Sequence, residues 1–382
     1  MHLLVGMKKF FAILFLTMMS VAAVKASDGH AAEGEEQEMN IQEIIFEHLG
    51  DAYGWEVPFS HENRIPLPVI VNDSESAWHV FSSGRVTGGD TYVTDDGVRY
   101  AIAHSGDNKG KVVQLLADGT EYRPVDLSIT KNVAGLIISA LVVILVMMSL
   151  VRFYRRNGMK KAPQKGLGAV EALVEFIYDG VVKATLGKNA PKFAPYLLTA
   201  FFFIFVMNLL GLMVIFPGGA NLTGNIAVTL VLAVCTFVVT NVKGNKHYWK
   251  DIFWPDVPLL LKFPLPIMPL IELFGIFTKP AALCVRLFAN MMGGHMIVLV
   301  LTMLIFIFAP FGPVVTGTTT VVSMIFSLFM LLLDVLVSFI QAYVFTMLST
   351  LFIGLATHDP HEGHEEKLEE VKAEINGIIK TN

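Results

Sequence analysis

The sequence predicts an all-α polytopic membrane protein of about five membrane helices, including a long, strongly tilted helical hairpin, joined to a cytoplasmic interfacial helix and a small β-rich N-terminal periplasmic domain. Three observations predict it. Hydrophobic residues make up 54% of the 382 positions and charged residues only 16%. Apolar stretches long enough to cross a bilayer recur after residue 132, whereas the first third is polar and rich in turn signals. The formal net charge of -5 gives no basic footprint, so nucleic acid is excluded as a partner. The two cysteines, Cys235 and Cys284, lie far apart in apolar stretches, and no disulfide framework is implied.

The N-terminus reads as an export signal. Lys8 and Lys9 precede the apolar run FFAILFLTMM, which is short for a span, and Val24-Lys25-Ala26 offers small residues at a cleavage site. Residues 1–26 are therefore assigned as a signal peptide, with an uncleaved anchor as the alternative. Residues 27–131 form the exported domain. After an acidic start, NIQEIIFEHLGDAYGW places Ile41, Ile44, Ile45 and Leu49 on one helical stripe. The tracts WHVFSS, TYVTDDGVRYAIAH and KVVQLLADGTEYRPV read as short strands joined by Asp-Gly turns. His30, His48, His61, His79 and His104 are scattered without ligand spacing, so no metal is assigned.

Residues 132–356 form the membrane domain. A first span over 133–151 runs directly into RFYRRNGMKK, the densest basic cluster of the chain, and the positive-inside rule places that end in the cytoplasm. The segment 166–187 keeps Leu173, Val174, Ile177, Val181 and Val182 at helical intervals beside Glu171, Glu175, Asp179 and Lys183, the pattern of an interfacial helix. Spans over 193–216 and 226–242 follow, the second ending in the basic loop NVKGNKHYWKD. The last two, about 265–310 and 318–356, far exceed the roughly 20 residues of a perpendicular span, which calls for strong tilt. Residues 357–382 form a cytoplasmic tail with His358, His361 and His364 and a helical stripe of Leu368, Val371 and Ile375.

The last two spans hold almost all the intramembrane polarity: Glu272, Lys279, Arg286, Asn290 and His295 on one, Asp334 and Gln341 on the other. Arg286 is the most informative of these. A guanidinium keeps its proton in a protein, and mid-bilayer insertion costs about 3 kcal/mol or more, so such a charge marks an ion or substrate path. At 3.6 residues per turn, Glu272 and Arg286 fall within about 40° of one another and about 21 Å apart along the axis, while His295 points to the opposite side about 13 Å beyond Arg286. Asp334 and Gln341 share a face. Lys279 beside Pro280 reads as a snorkelling amine at a kink.

RLFANMMGGH, preceded by PLIELFGIFTKPAAL and followed by FIQAYVFTMLSTLFIGLA, resembles subunit a of the F-type ATP synthase, the stator of its membrane proton motor. FAPYLLTAFFFIFVMNLLGL and PQKGLGAVEALVEFIY support the resemblance, which covers about residues 163–356. It implies that Arg286 is the essential arginine, Gln341 its glutamine partner and Asn290 a polar neighbour. It further implies that His295 and Asp334 are the histidine–carboxylate pair of an outer half-channel, and Glu272 a carboxylate of the cytoplasmic one. Gly211 sits where some relatives carry an aspartate.

The implied function is a non-catalytic, proton-translocating subunit with no cofactor. The implied partners are the c-ring rotor, peripheral-stalk b subunits, other ATP synthase subunits and the lipid bilayer. The implied location is the bacterial cell inner membrane, N-terminus periplasmic and C-terminus cytoplasmic. An ion-coupled secondary transporter, with Arg286 holding an anionic substrate, is the alternative. For Asn290 and Gln341, plain interhelical hydrogen bonding is the competing role.

Overall fold

A computed structural model describes residues 50–56, 64–75, 77–86, 91–103, 106, 108–116, 120–158, 161–164, 166–213, 219–253 and 267–357, without the side chains of 251 and 267–269. The signal segment, the Ile41–Leu49 stripe, His30, His48, His61 and His104, and the C-terminal tail lie outside the described residues.

Among the described residues the N-terminal region forms nine short strands: β1 (Gly54–Glu56), β2 (Arg64–Pro66), β3 (Pro68–Asn72), β4 (Trp78–Ser82), β5 (Tyr92–Val93), β6 (Arg99–Ile102), β7 (Val112–Leu115), β8 (Glu121–Tyr122) and β9 (Val125–Asp126). They pair antiparallel as β1-β2, β4-β3-β9 and β5-β6-β7-β8. The three tracts expected as strands carry β4 to β8, and Gly97, at φ 81°, turns the chain between β5 and β6. The sequence reading passed over β2 and β3, where Pro66 and Pro68 break the alternation, and it ran its helical segment through Gly54 and Trp55, which instead open β1 and pair with Pro66 and Ile65. Pro68 is tolerated because it opens its strand. Alternation then sends Val69, Val71 and Phe81 into a core with Tyr53, Val86, Tyr100 and Val112.

One polar knot lies against that core. The buried Asp73 carboxylate accepts the Glu75 and Ala77 amides at 2.9 and 2.7 Å and sits 3.2 Å from His79 Nε2. Burial alone would raise its pKa, but the hydrogen bonds from Ala77, His79 and Glu75 prevail and hold it below its ordinary 3.8.

The remainder is helical: α1 (Lys131–Asn157), α2 (Gly166–Ile177), α3 (Ala190–Leu212), α4 (Ile226–Lys243), α5 (Lys246–Phe253), α6 (Ile267–Phe308) and α7 (Pro313–Thr357). Thr130 caps α1, its side chain accepting the Val133 amide. The stretch after α2 continues through a π-helical segment, Tyr178–Lys183, to Leu186, where Gly187 at φ 51° breaks it before α3. Five candidate spans meet the length and hydropathy of a membrane crossing, with α2 to α3 counted as one. The last helix, α7, opens at Pro313 rather than at the expected 318, since Pro313 at its first position suits a helix opening.

Two compact units share the chain. The first is Met1–Glu171, Phe202–Asn225 and Ala289–Ile340; the second is Ala172–Phe201, Ile226–Phe288 and Gln341–Asn382. In the first, Ala52 O accepts the Lys131 amide and Asp51 Oδ1 the Asn132 amide, tying the β region to the opening turn of α1. In the second, Asn245 donates from its backbone and Nδ2 to Ala356 O and Thr357 O at 2.8 and 2.9 Å, satisfying carbonyls left over at the end of α7.

Asp73→Asn should cost the β region about 1.5–3 kcal/mol, since a charged acceptor of several buried hydrogen bonds is lost. Because the folded carboxyl titrates below its unfolded value, the wild-type advantage is present above about pH 4 and disappears as the pH falls through the lower folded value. Amide exchange of β3 and β4 in the full-length protein, compared at pH 7 and at pH 3, reads both effects.

Candidate functional site

The polar residues of the long hairpin divide between the two units. Glu272, Lys279, Arg286 and Gln341 belong to the second, and Asn290, His295 and Asp334 to the first. Helix α6 buries Ile276, Leu283, Cys284, Leu287, Met291 and Gly294, a stripe at helical spacing. Arg286 and Asn290 fall off that stripe and are exposed.

Arg286 is the centre of the second unit's polar set. Among the described residues its guanidinium has no hydrogen-bond or ion-pair partner. Glu272, on nearly the same face of α6, is not paired with it. Glu272 instead acts on Tyr248 of α5, whose phenol is held above its usual range by burial first and by that carboxylate second. Lys279 Nζ lies 5.9 Å from the centre of the Phe352 ring, a cation–π contact that shelters the amine. Beside it is a cleft lined by Thr240, Asn241, Tyr248, Ile276, Lys279 and Phe352. Gln341 is buried at the start of the second unit's share of α7.

In the first unit, Asp334 of α7 packs against α6 at Gly294, the residue before His295. A Cβ built on Gly294 would stand 2.5 Å from Asp334 Oδ1 and 2.9 Å from its Cγ, so only glycine admits the carboxyl group there. Asp334 thus packs onto α6 one residue before His295 in sequence, and among the described contacts none joins the two side chains. Lys131, at the opening of α1, is close enough to act electrostatically on His295. Gly211 is also packed: its Cβ would meet Met291 Cε at 3.0 Å and Ala220 O at 3.2 Å.

Several buried polar contacts were not anticipated. Asn208 of α3 accepts Thr223 Oγ1 at 2.7 Å, both residues 1% exposed. Thr236 of α4 joins Tyr196 Oη at 2.9 Å and Ser349 Oγ at 3.2 Å, a hydroxyl chain across three helices of the second unit. Thr229 Oγ1 lies 3.4 Å from Cys284 Sγ. Asn208 had a signal, a lone amide in the apolar run FFFIFVMNLL. The hydroxyls had none, because a membrane Ser or Thr can bond its own helix as well as a neighbour.

Residues 136–354 match the family profile described as ATP synthase A chain. Curated proteins named ATP synthase subunit a are similar to this chain. That of Pelodictyon phaeoclathratiforme is 46% identical over 249 residues, 63% of this chain and 68% of the relative. That of Chlorobium phaeobacteroides (strain DSM 266) is 44% identical over 246 residues, with the same 63% and 68% coverage. That of Myxococcus xanthus is 41% identical over 269 residues, 67% of this chain and 82% of the relative. The chain belongs to the ATP synthase A chain family. It is therefore a multi-pass membrane protein and a non-catalytic subunit of the proton-translocating sector, associated with other ATP synthase subunits. Residues 44–131 match a domain of unknown function (DUF8433), so the β region stands ahead of the subunit a match.

Gly294→Ala should assemble but lower ATP-driven proton pumping by about tenfold or more, because its methyl group overpacks the contact of α6 with α7 at Asp334. Gly211→Ala should do less harm, because the Met291 methyl it meets is the end of a flexible chain. Quenching of a pH-sensitive dye in inverted vesicles measures both.

Proposed function

We propose that this chain supplies the two half-channels of the motor and the arginine that couples proton flow to rotation of a ring of c subunits. The observation that carries the reading is the exposed Arg286 guanidinium, which has no partner among the described residues. Such a cation at membrane depth calls for an anion from another subunit, and a rotor carboxylate is the chemistry that fits.

At about 4 Å and an effective dielectric near 20, Arg286 would favour an ionised carboxylate by about 4 kcal/mol, or about 3 pKa units. It therefore drives release of the proton as each rotor acid arrives. The arginine itself never deprotonates, so protons do not hop past it from one half-channel to the other. Passage is forced through rotation, and one charge moved through 100 mV supplies about 2.3 kcal/mol to drive it.

In this reading His295 and Asp334 relay protons in the outer half-channel, where a titratable imidazole beside a carboxylate suits exchange with water. Glu272 lines the cytoplasmic half-channel, with Tyr248 beside it. Gln341 and Asn290 are assigned to position the guanidinium once a rotor carboxylate is engaged; in the chain alone neither bonds it. The 42 residues of α6 and 45 of α7 lie strongly tilted, presenting a long face to the ring. Only 6% and 11% of their most apolar windows are buried within the chain, leaving surface for rotor and lipid. Residues 166–187 lie along the cytoplasmic interface, b subunits of the peripheral stalk hold the chain as stator, and the location is the bacterial inner membrane. The N-terminal domain is periplasmic and the C-terminus cytoplasmic, which follows from the basic cluster after α1.

Arg286→Ala should abolish ATP-driven pumping by inverted vesicles while the subunit still inserts and assembles. Arg286→Lys should fail as well, since an ammonium lacks the planar fork and the fixed charge. Normal pumping in either contradicts the reading. Exchanging His295 and Asp334 should be milder than losing either one; additive losses would show that the two do not act as a couple.

A further inference from the structure

Among the described residues, three buried side-chain atoms have no hydrogen-bond partner: Tyr100 Oη in the β region, and Asn221 Nδ2 and Ser323 Oγ in the helical part of the first unit. Ser323 is the more informative. The other buried hydroxyls of α7 whose bonds are described all have a partner: Ser338 Oγ donates to Asp334 O at 2.7 Å, Thr346 Oγ1 to Ala342 O at 2.9 Å and Thr350 Oγ1 to Thr346 O at 2.7 Å, while Ser349 Oγ lies 3.2 Å from Thr236 Oγ1 of α4. Ser323 is 2% exposed and has none among the described residues.

Helical geometry places this hydroxyl in a row. Ser323, Ser327 and Asp334 fall within about 40° of one another on α7, with Ser323 about 16 Å from Asp334 along the axis. Ser327 is buried too, at 5% exposure. A helix contact that needs only a small side chain is served by alanine or glycine. A buried hydroxyl turned away from its own carbonyls is served by water, which is the ordinary partner of an otherwise unsatisfied buried group.

We propose that Ser323 lines the water-accessible path from the outer face to Asp334 and His295, its hydroxyl positioning a water molecule, with Ser327 the next group along the same row. The inference rests on the outer half-channel assigned under Proposed function. Ser323 is a positioning residue in that path, and the proton itself passes from water to the Asp334–His295 pair.

The test uses the assembled complex in right-side-out vesicles, in a Cys235→Ser, Cys284→Ser background, with Ser323→Cys introduced. Passive proton flux through the membrane sector is read before and after silver ion or a small, membrane-impermeant thiosulfonate is added to the outer side. The expected result is a loss of flux of at least about tenfold, reversed by excess thiol, because a blocked narrow path stops conduction. Val322→Cys, one residue away on an exposed position, should lose none. In an untreated wild-type background, Ser323→Ala should lower flux several-fold and steepen its fall at high outer pH, which a packing defect would not do. Flux insensitive to reagent at Ser323→Cys, block from the inner side only, or wild-type flux and pH profile in Ser323→Ala would each overturn the inference. Asp334→Asn in parallel separates the two claims. If it stops flux while the Ser323 variants do not, the inference alone fails; if it leaves flux intact, the half-channel assignment itself falls.

Discussion

An unpaired guanidinium in an apolar helix is the constraint on which the rest depends. Arg286 lies on the side of α6 away from the Leu283–Leu287–Met291 stripe, and no acid among the described residues neutralises it. An acid of the same chain held against it would make a static ion pair and an inert helix. Glue of that kind costs desolvation and gives no work. Leaving the charge open transfers the pairing to whatever passes, and makes the energy of that pairing available once per passage.

The surroundings keep the cation open while pairing most other buried polar groups among the described residues. Hydroxyls tie helices together inside each unit, as in the Tyr196–Thr236–Ser349 chain, so packing does not consume charged groups. Asn245 finishes the end of α7 with neutral amide bonds. Lys279, the other cation of the region, is sheltered against Phe352. Glycine at 294 lets α7 bring the Asp334 carboxyl directly onto α6, a placement that a side chain there would push aside. Charge is thus concentrated at few positions, and those positions are backed by closely packed, neutral helix surfaces.

Much of the fold was legible because membrane helices obey coarse rules. Length, hydropathy and the basic cluster after Val151 suffice to mark the helices, and a charge such as Arg286 stands out against that background. Strands β2 and β3 were not legible, since prolines interrupt a short alternation whose meaning comes from tertiary pairing of Val69 and Val71 with the rest of the core, and β1 opens within a run read as helix. The role of Gly294 was equally hidden: two adjacent glycines in a helix look alike in sequence, and only the approach of Asp334 distinguishes the second. Buried hydroxyl pairings likewise depend on which helices meet. The first residues of α7, Pro313 to Gly317, were missed because proline, threonine and glycine there look like a turn, although Thr316 donates to Gly312 O and Thr320 to Thr316 O.

The most direct measurement is a density map of the intact complex in a lipid environment, resolving the side chain of Arg286. The account predicts its guanidinium within about 4 Å of a carboxylate carried by a rotor helix, the range in which an opposite charge shifts a pKa strongly. A guanidinium turned to lipid, or bound to a fixed acid of its own chain with no rotor carboxylate in reach, would contradict it.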